Sequence, residues 1–453
     1  MTPRTPVQFI DTSANRWLNI APFVAGLACV GVDLAIQEVY LRMYSGLSWL
    51  IILLSGVMLG GLFLIRLQRI IPQGERIARF AAGASETTAA WHWAGAVLPP
   101  MVGGGYAFWW AVGVAVLSGM GLGMLSSSYW LRARRALITI PLLLAVAPPL
   151  IGPLMAQPGT WPARESGPNS SMPDAGTAVI FILLDELGAA AAQPIVDTLA
   201  GDGWPLQFRA LAPVGDMTVK VIPQMFTGVA FPNARPCAPT TVCDRLQSLN
   251  FSTLTASRPD IDIVGFYHPY CAIQGLRWCT RHSPEAALLS WERWRCAAQR
   301  RSTSGQQDPQ CRQIPLKRWA DLVDSVLMSV DQAPFWTQGG MLYVHAPLPH
   351  PPGSSIDGSL PSHYRDNIKQ AANFVRHVAA RARQRFGDKV RLVIFSDHGL
   401  RYKYACSTPL YESMPCDIPD EFQGHEVPLI VAGTPSKALD RVTTNADIFY
   451  LVD

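Results

Sequence analysis

Charge is what this chain has least of. Only 15% of its 453 residues are Asp, Glu, Lys or Arg, against roughly 25% in an ordinary soluble domain. Residues of the AVILMFWYC set reach 49%. Apolar content on that scale excludes a disordered chain, and the length excludes a single small module. The shortage is uneven. Residues 1–156 hold no lysine, ten arginines and five acidic residues, a net +5. The remainder holds 27 basic and 28 acidic residues, a net −1, which together give the +4 of the whole chain. The positive excess belongs to the apolar half, so it points to membrane orientation and away from nucleic-acid binding. Cysteine pairs spaced CxxC are missing as well, and with them the usual signature of a structural zinc ribbon.

Long apolar runs fill the first half. Leu18–Gln37, Leu47–Ile65 and Leu137–Met155 are each 19–20 residues long, enough to cross about 30 Å of hydrocarbon at 1.5 Å per residue. Between them, Thr87–Ser128 runs 42 residues without a charge. That length suits two spans broken near Gly103-Gly104-Gly105. Arg66, Arg69, Arg76 and Arg79 share one loop, and Arg132, Arg134 and Arg135 another. Both loops should be cytoplasmic, and an even number of spans must separate loops on one side. Five spans follow, with the N-terminus inside and the C-terminal half outside. A single tilted helix over 94–126, giving four spans, is the alternative. Because apolar segments recur, no cleaved signal peptide is expected. Asp33 and His92 are the candidate intramembrane polar groups, read first as interfacial or hydrogen-bonded to a neighbouring helix. Residues 157–176, rich in Pro, Gly and Ser without periodicity, read as a linker between a membrane domain (1–156) and an extracytoplasmic domain (177–453).

Cysteine usage agrees with that topology. Of nine Cys, Cys29 lies in the first span and eight lie beyond the last, an even count that fits disulfides in an oxidising compartment. Short separations favour Cys237–Cys243, Cys271–Cys279, Cys296–Cys311 and Cys406–Cys416. No catalytic thiol is expected.

From Ala178 the pattern becomes that of a soluble α/β domain. Continuous apolar runs of strand length are the mark of strands buried on both faces of a parallel sheet. Ala178–Leu184 ends in Asp185-Glu186, Val390–Phe395 in Ser396-Asp397-His398-Gly399, and Met341–Val344 in His345, with His350 following. Val427–Ala432 directly follows His425-Glu426. A helical pattern over His363–Phe386 presents Ile368, Ala371, Ala372, Val375 and Ala379 on one face. Ligands of such sheets bind beyond the carboxyl ends of the strands. Asp185, His345, His350, Asp397 and His398 all stand at those ends. Carboxylates with imidazoles form the ligand set of a divalent transition metal, Zn²⁺ first, with Mn²⁺ or Ca²⁺ as alternatives.

Thr218 is the candidate nucleophile. It lies between Gly215 and an apolar helix start, where the positive end of the helix dipole favours an alkoxide and an incoming anion. The bland alternative is a helix N-cap. Glu186 is read as an exposed helix-start residue unless it adds a ligand, and Lys220 as a surface lysine unless it meets an anion. Trp278, Trp291 and Trp294 are read as buried aromatics, with a membrane-interface role as the alternative.

These motifs, in this order, resemble the sulfatase-like branch of the alkaline phosphatase superfamily. Within it the chain is similar to membrane-anchored phosphoethanolamine transferases and lipoteichoic acid synthases. The resemblance covers about residues 177–453 by ordered motifs and the first half by architecture. It implies five N-terminal helices before an α/β catalytic domain with a mostly parallel central sheet. It assigns one metal to Asp185, Thr218, Asp397 and His398, the nucleophile to Thr218, and to His350 and His425 either contacts to the phosphoryl oxygens or a second metal, together with proton supply. The Tyr364, Asn367 and Ile368 spacing and Asn445–Phe449 also match. Departures are equally specific. Val214 and Gln224 stand where the transferases carry cysteines, Asp216 and Met217 replace small or hydroxyl residues, and the chain stops at Asp453, where members usually continue, so a C-terminal piece is expected to be missing. A formylglycine signature is absent: Cys237-Ala-Pro-Thr-Thr241 and Ser257-Arg-Pro-Asp260 both fail it.

The resemblance implies transfer of a phosphoethanolamine or phosphoglycerol group from a phospholipid donor, through phosphothreonine, to an envelope glycan or lipid. The protein would then be a multi-pass component of a bacterial inner membrane, with its catalytic domain periplasmic. Two other readings stand beside it. One is a hydrolase of the same superfamily, a phosphatase, phosphodiesterase or sulfuric ester hydrolase. The other is an inactive binding or scaffold domain.

Overall fold

Apolar runs of six or seven residues, each bounded by turn formers, build the central sheet of the second half. The computed structural model describes residues 159–161, 178–238, 240–244, 247–283, 309–353, 358–408, 410–411 and 414–452, with only the backbone at 159–160 and 309–315. The expected spans and arginine-rich loops, with Cys29, Asp33, His92, Trp291, Trp294 and the Cys296–Cys311 pair, lie outside what is described. Among the described residues no helix is long and apolar enough to cross a membrane.

Strands β1 to β6 are Gly159–Trp161, Ala178–Leu184, Leu206–Leu211, Arg235–Ala238, Thr241–Asp244 and Gln247–Asn250. Strands β7 to β12 are Leu254–Ala256, Ile261–Phe266, Trp278–His282, Met341–Ala346, Val390–Phe395 and Val427–Gly433. Four longer helices follow in chain order: α1 Gln193–Gly201, α2 Thr218–Thr227, α3 Pro309–Gln332 and α4 Leu360–Phe386. The helix expected at 363–386 therefore begins three residues earlier.

Seven strands form the main sheet in the order β3-β12-β11-β2-β10-β8-β9. Strands β11, β2, β10, β8 and β9 are parallel neighbours, and β12 runs antiparallel to both β11 and β3. This is the mostly parallel α/β sheet that the apolar runs imply. Strand alternation splits its core in two. Ile180, Ile182 and Leu184 of β2 pack with α1, α3 and α4 on one face, while Val179, Phe181 and Leu183 pack with α2 and β1 on the other. Trp278 of β9 is partly buried against the first layer, which accords with the core reading of that aromatic.

Chain order explains why one rim collects the polar residues. Parallel β2, β10 and β11 all end there, and antiparallel β12 begins there, so a residue preceding β12 shares the rim with residues following the others. Register sharpens this. Phe395 of β11 and His345 of β10 both stand opposite Leu183 of β2. Two residues further along β2 and β11 come Asp185 and Asp397.

The linker expectation needs correction at one point. Gly159–Trp161 pairs in parallel with β7, and Trp161 is fully buried. Its ring stacks on Phe226 at 4.9 Å and meets Phe449 edge-on at 5.0 Å. A lone apolar residue in a Pro- and Gly-rich stretch has no periodicity to announce it, and tertiary packing alone orders it. Trp161→Ala should cost about 3–5 kcal/mol of stability, the range for truncating a buried large aromatic, read as a lowered urea midpoint at unchanged slope.

Three expected disulfides form: Cys237–Cys243, Cys271–Cys279 and Cys406–Cys416. Each closes a short local loop.

Candidate metal centre and nucleophile

Three residues from two strand ends meet as a buried cluster. Asp185 follows β2, and Asp397 and His398 follow β11. One ligand atom from each lies within 4.8 Å of the others. His398 Nε2 stands 3.2 Å from Asp397 Oδ2 and 4.0 Å from Asp185 Oδ1. The tautomer follows from the other nitrogen. His398 Nδ1 lies 2.9 Å from the Gly399 carbonyl, and since a carbonyl only accepts, Nδ1 carries a proton there and Nε2 is the nitrogen turned to the cluster.

Thr218 joins this group through its hydroxyl. It is the first residue of α2, and the N-cap is Met217, in extended conformation with no side-chain cap bond. The N-cap reading of Thr218 therefore fails. Its Oγ1 donates instead to Asp397 Oδ2 at 2.6 Å and lies 3.4 Å from His398 Nε2. Asp185, Thr218, Asp397 and His398 are thus brought together as the motif order implies.

Electrostatics make the cluster costly without a counter-charge. Burial, then the charges of Asp397 and Glu186, push the Asp185 carboxyl well above the usual carboxylate range. Burial also pushes Asp397 up, but His398, His345, the Thr218 hydroxyl and the Glu186 amide bring it below that range. Asp185 Oδ1 is buried with no hydrogen-bond partner. Two carboxylates, an imidazole lone pair and a hydroxyl converging on one point, with an orphaned oxygen among them, suit a divalent cation, and the mixed N/O set suits Zn²⁺.

Backbone contacts fix the donors. The Glu186 amide donates to Asp397 Oδ1 at 3.2 Å, and the Leu187 amide to Ser396 Oγ at 2.9 Å. Buried Asn445 bridges the two loops: its Nδ2 donates to the Ser396 and Asp397 carbonyls, and its Oδ1 accepts from the Val214 amide. Gly399 is required by close approach, because a Cβ there would sit 2.7 Å from the Gly424 carbonyl. Asn445→Ala should strand these buried partners, costing about 1–3 kcal/mol or more. Activity should fall along with thermal midpoint, whereas a merely surface asparagine would change neither.

Other sequence expectations meet mixed fates. Glu186 is not exposed but buried, at φ 65° in the left-handed region, and accepts from Arg401 Nε at 2.5 Å. Tyr364 donates its hydroxyl to the Glu186 carbonyl at 2.5 Å. Lys220 pairs with Asp216 at 2.6 Å, one helical turn away. His350 is half-buried at the rim, with Nε2 3.9 Å from Glu186 Oε1. His425 is exposed beside Gly424, whose carbonyl abuts Gly188 and Gly399.

Two further histidines lie behind the site: His345, which the sequence places among the polar residues at the strand ends, and His268, which it does not single out. His345 is fully buried, with Nδ1 2.9 Å from the Tyr270 hydroxyl and Nε2 4.0 Å from Asp185 Oδ2. Burial pulls its pKa down to about 4, so it is neutral at ordinary pH. His268 follows β8, is fully buried, and hydrogen-bonds the Thr218 backbone. The rule that located Asp185, a polar residue just past a buried strand, would have found it had Ile261–Phe266 been read as a strand.

Solved structures with a similar architecture include the PsFucS1 sulfatase from Pseudoalteromonas sp., at 13% identity over 57% of this chain and 62% of that one, with a TM-score of 0.33. Ps i-CgsB aligns at 11% identity over 57% and 66%, with a TM-score of 0.31. An alkaline phosphatase superfamily protein from Vibrio parahaemolyticus aligns at 13% over 57% and 60%, with a TM-score of 0.29. The matched part thus spans less than two thirds of each of those chains. No protein-family model matches the sequence, and no curated protein is similar to it.

Proposed function

We propose that this chain is a metal-dependent enzyme of ester transfer at phosphorus, with Thr218 as its covalent nucleophile. The observation that carries the reading is the hydrogen bond from the Thr218 hydroxyl to buried Asp397, inside the cluster of Asp185, Asp397 and His398. A hydroxyl is a weak nucleophile at its ordinary pKa and needs an adjacent acceptor or cation to react. A cation held by Asp185, Asp397, His398 and Thr218 would acidify that hydroxyl and offset charge on the ester oxygens.

In this mechanism Thr218 Oγ1 forms a bond to phosphorus as the bond to the leaving alcohol breaks. The hydroxyl proton passes toward Asp397 Oδ2, which already accepts it as a hydrogen bond. Phosphothreonine results, and a second hydroxyl then takes the group and restores Thr218. His350 and His425, at the rim, contact the phosphoryl oxygens and supply the proton for the leaving alcohol.

The finer reading is transfer of a phospholipid head group, of phosphoethanolamine or phosphoglycerol type, to an envelope glycan or lipid. It is supported by motif order and by the apolar, arginine-biased first half, which would hold the site near amphiphilic donor and acceptor. Water in place of the acceptor would make the same residues a phosphatase or phosphodiesterase, and the half-buried setting of Thr218 admits water. Mass spectrometry of the purified, zinc-loaded chain after exposure to phospholipids separates these outcomes. A head-group adduct on Thr218 supports transfer, and bare phosphate release supports hydrolysis. Neither adduct nor turnover of any phosphate ester would leave only a scaffold.

A further inference from the structure

Arginines in this fold are of two kinds. Buried Arg391 spends Nε, Nη1 and Nη2 on the carbonyls of Thr434, Leu451 and Pro435. Arg277 likewise spends all three nitrogens, on Asp262, Gln338 and Gly339. Both are structural clamps. Arg401 differs. Its Nε alone is engaged, on Glu186 Oε1, and among the described residues neither Nη1 nor Nη2 hydrogen-bonds a neighbour. Its side chain keeps 25% of its exposure. Tyr404 lies under the guanidinium, with its ring centroid 5.4 Å away, which covers a face and not the edge donors.

The partner that holds Arg401 is itself over-determined. Glu186 occupies a left-handed backbone conformation that is costly for a non-glycine residue. It is kept there by the hydrogen bond its backbone N–H donates to Asp397 Oδ1 and by the Tyr364 hydroxyl that donates to its carbonyl. Held by Glu186 in this way, the guanidinium lies near enough to the cluster for its charge to favour ionised Asp185. Charge counting gives that place a purpose. Asp185, Asp397 and Glu186 carry three negative charges when ionised, and a divalent cation cancels two. The remaining charge would repel an anionic ester, and Arg401 removes it.

We propose that Arg401, locked by Glu186, binds the non-bridging oxygens of the tetrahedral phosphoryl group that Thr218 attacks. The inference rests on the phosphoryl-transfer reading and adds a substrate-binding residue to it. A planar fork with free paired N–H donors matches two oxygens of such an anion, which a lysine ammonium does not. The shared chemistry covers a lipid head-group phosphate and free inorganic phosphate alike.

The test is calorimetric titration of inorganic phosphate into the zinc-loaded full chain, with metal content measured on each sample. Arg401→Lys keeps a charge for Glu186 but loses the fork. The double variant Glu186→Gln/Arg401→Met removes both charges, so Glu186 is not left as a buried carboxylate without its arginine. Phosphate affinity should fall about 10- to 100-fold in the double variant and by less in Arg401→Lys, as expected for losing a bidentate charge-assisted contact. Binding within threefold of wild type in the double variant, at full metal content, overturns the proposal. So does a wild type that holds zinc but no phosphate. A short-chain phospholipid as competitor separates the sources: displacement of phosphate assigns the contact to the head group, and its absence assigns it to the free anion, either one keeping Arg401 as the anion ligand. Thr218→Ala tells the two readings apart. Undiminished ester turnover in that variant sinks the nucleophile assignment, while the Arg401 inference stands or falls on the titration alone.

Discussion

Thr218→Ala should lower turnover of a phosphate ester by about 10⁴- to 10⁶-fold, the scale on which removing a covalent nucleophile acts. The fold should survive, because the hydroxyl is half-buried and its two partners, Asp397 and His398, keep other hydrogen bonds; metal content is measured on each sample, since the hydroxyl is one of four proposed ligands. Thr218→Ser keeps an oxygen at nearly the same place and should retain measurable turnover. Two measurements decide the matter. Steady-state rates on a chromogenic phosphate ester report chemistry, and intact-mass spectra report the covalent intermediate. A wild type that accumulates a phosphoryl adduct, beside a Thr218→Ala variant that does not, is the expected pair. An adduct persisting in Thr218→Ala would place the nucleophile elsewhere.

Metal removal is the second large effect, and its sign can be worked out. Chelation should lower the thermal midpoint by about 5–15 °C. This follows from roughly 3–4 kcal/mol of binding linkage at 100–1,000 times Kd, with about 2–4 °C per kcal/mol for a domain of this size. Asp185→Asn should act in opposite directions in the two states. In the loaded protein it removes a ligand and lowers the midpoint. In the chelated protein it relieves the burial and repulsion that hold the Asp185 carboxyl above the usual carboxylate range. The folded, metal-free chain holds that proton more tightly than the unfolded one. Its stability therefore falls as pH rises from the ordinary carboxylate range through the raised value. The amide substitution abolishes that loss, so the chelated variant should be more stable than the chelated wild type at neutral pH. A chelator without effect on the wild type would mean that the carboxylates share a proton and serve no cation.

Much of the site was legible because parallel sheets write their ligand ends plainly. A strand buried on both faces leaves an unbroken apolar run, and the residue that ends it stands at the rim where ligands bind. Asp185, Asp397 and His398 follow such runs. Thr218 was legible only with help from motif order, since a hydroxyl at a helix start is more often a cap, and only the observed bond to Asp397 removes that reading. Local pairings were legible too: the three described disulfides join cysteines six to ten residues apart.

Glu186, Arg401, His268 and Trp161 mark the boundary of what a linear pattern can say. Glu186 and Arg401 are 215 residues apart, and no periodicity links them. Their contact arises because β11 lies beside β2 with Phe395 opposite Leu183, which delivers the loop after β11 to the loop after β2. Whether Glu186 turns outward or is buried depends on a left-handed backbone angle set by Asp397 and Tyr364, not by its own neighbours. By itself, then, the sequence determined four strands of the main sheet, β2, β10, β11 and β12, and the polar residues that ride on their ends, because burial on both faces is a local demand. Tertiary structure alone decided which carboxylate is buried, which arginine answers it and which aromatic closes the core, because strand order and register are choices among distant partners.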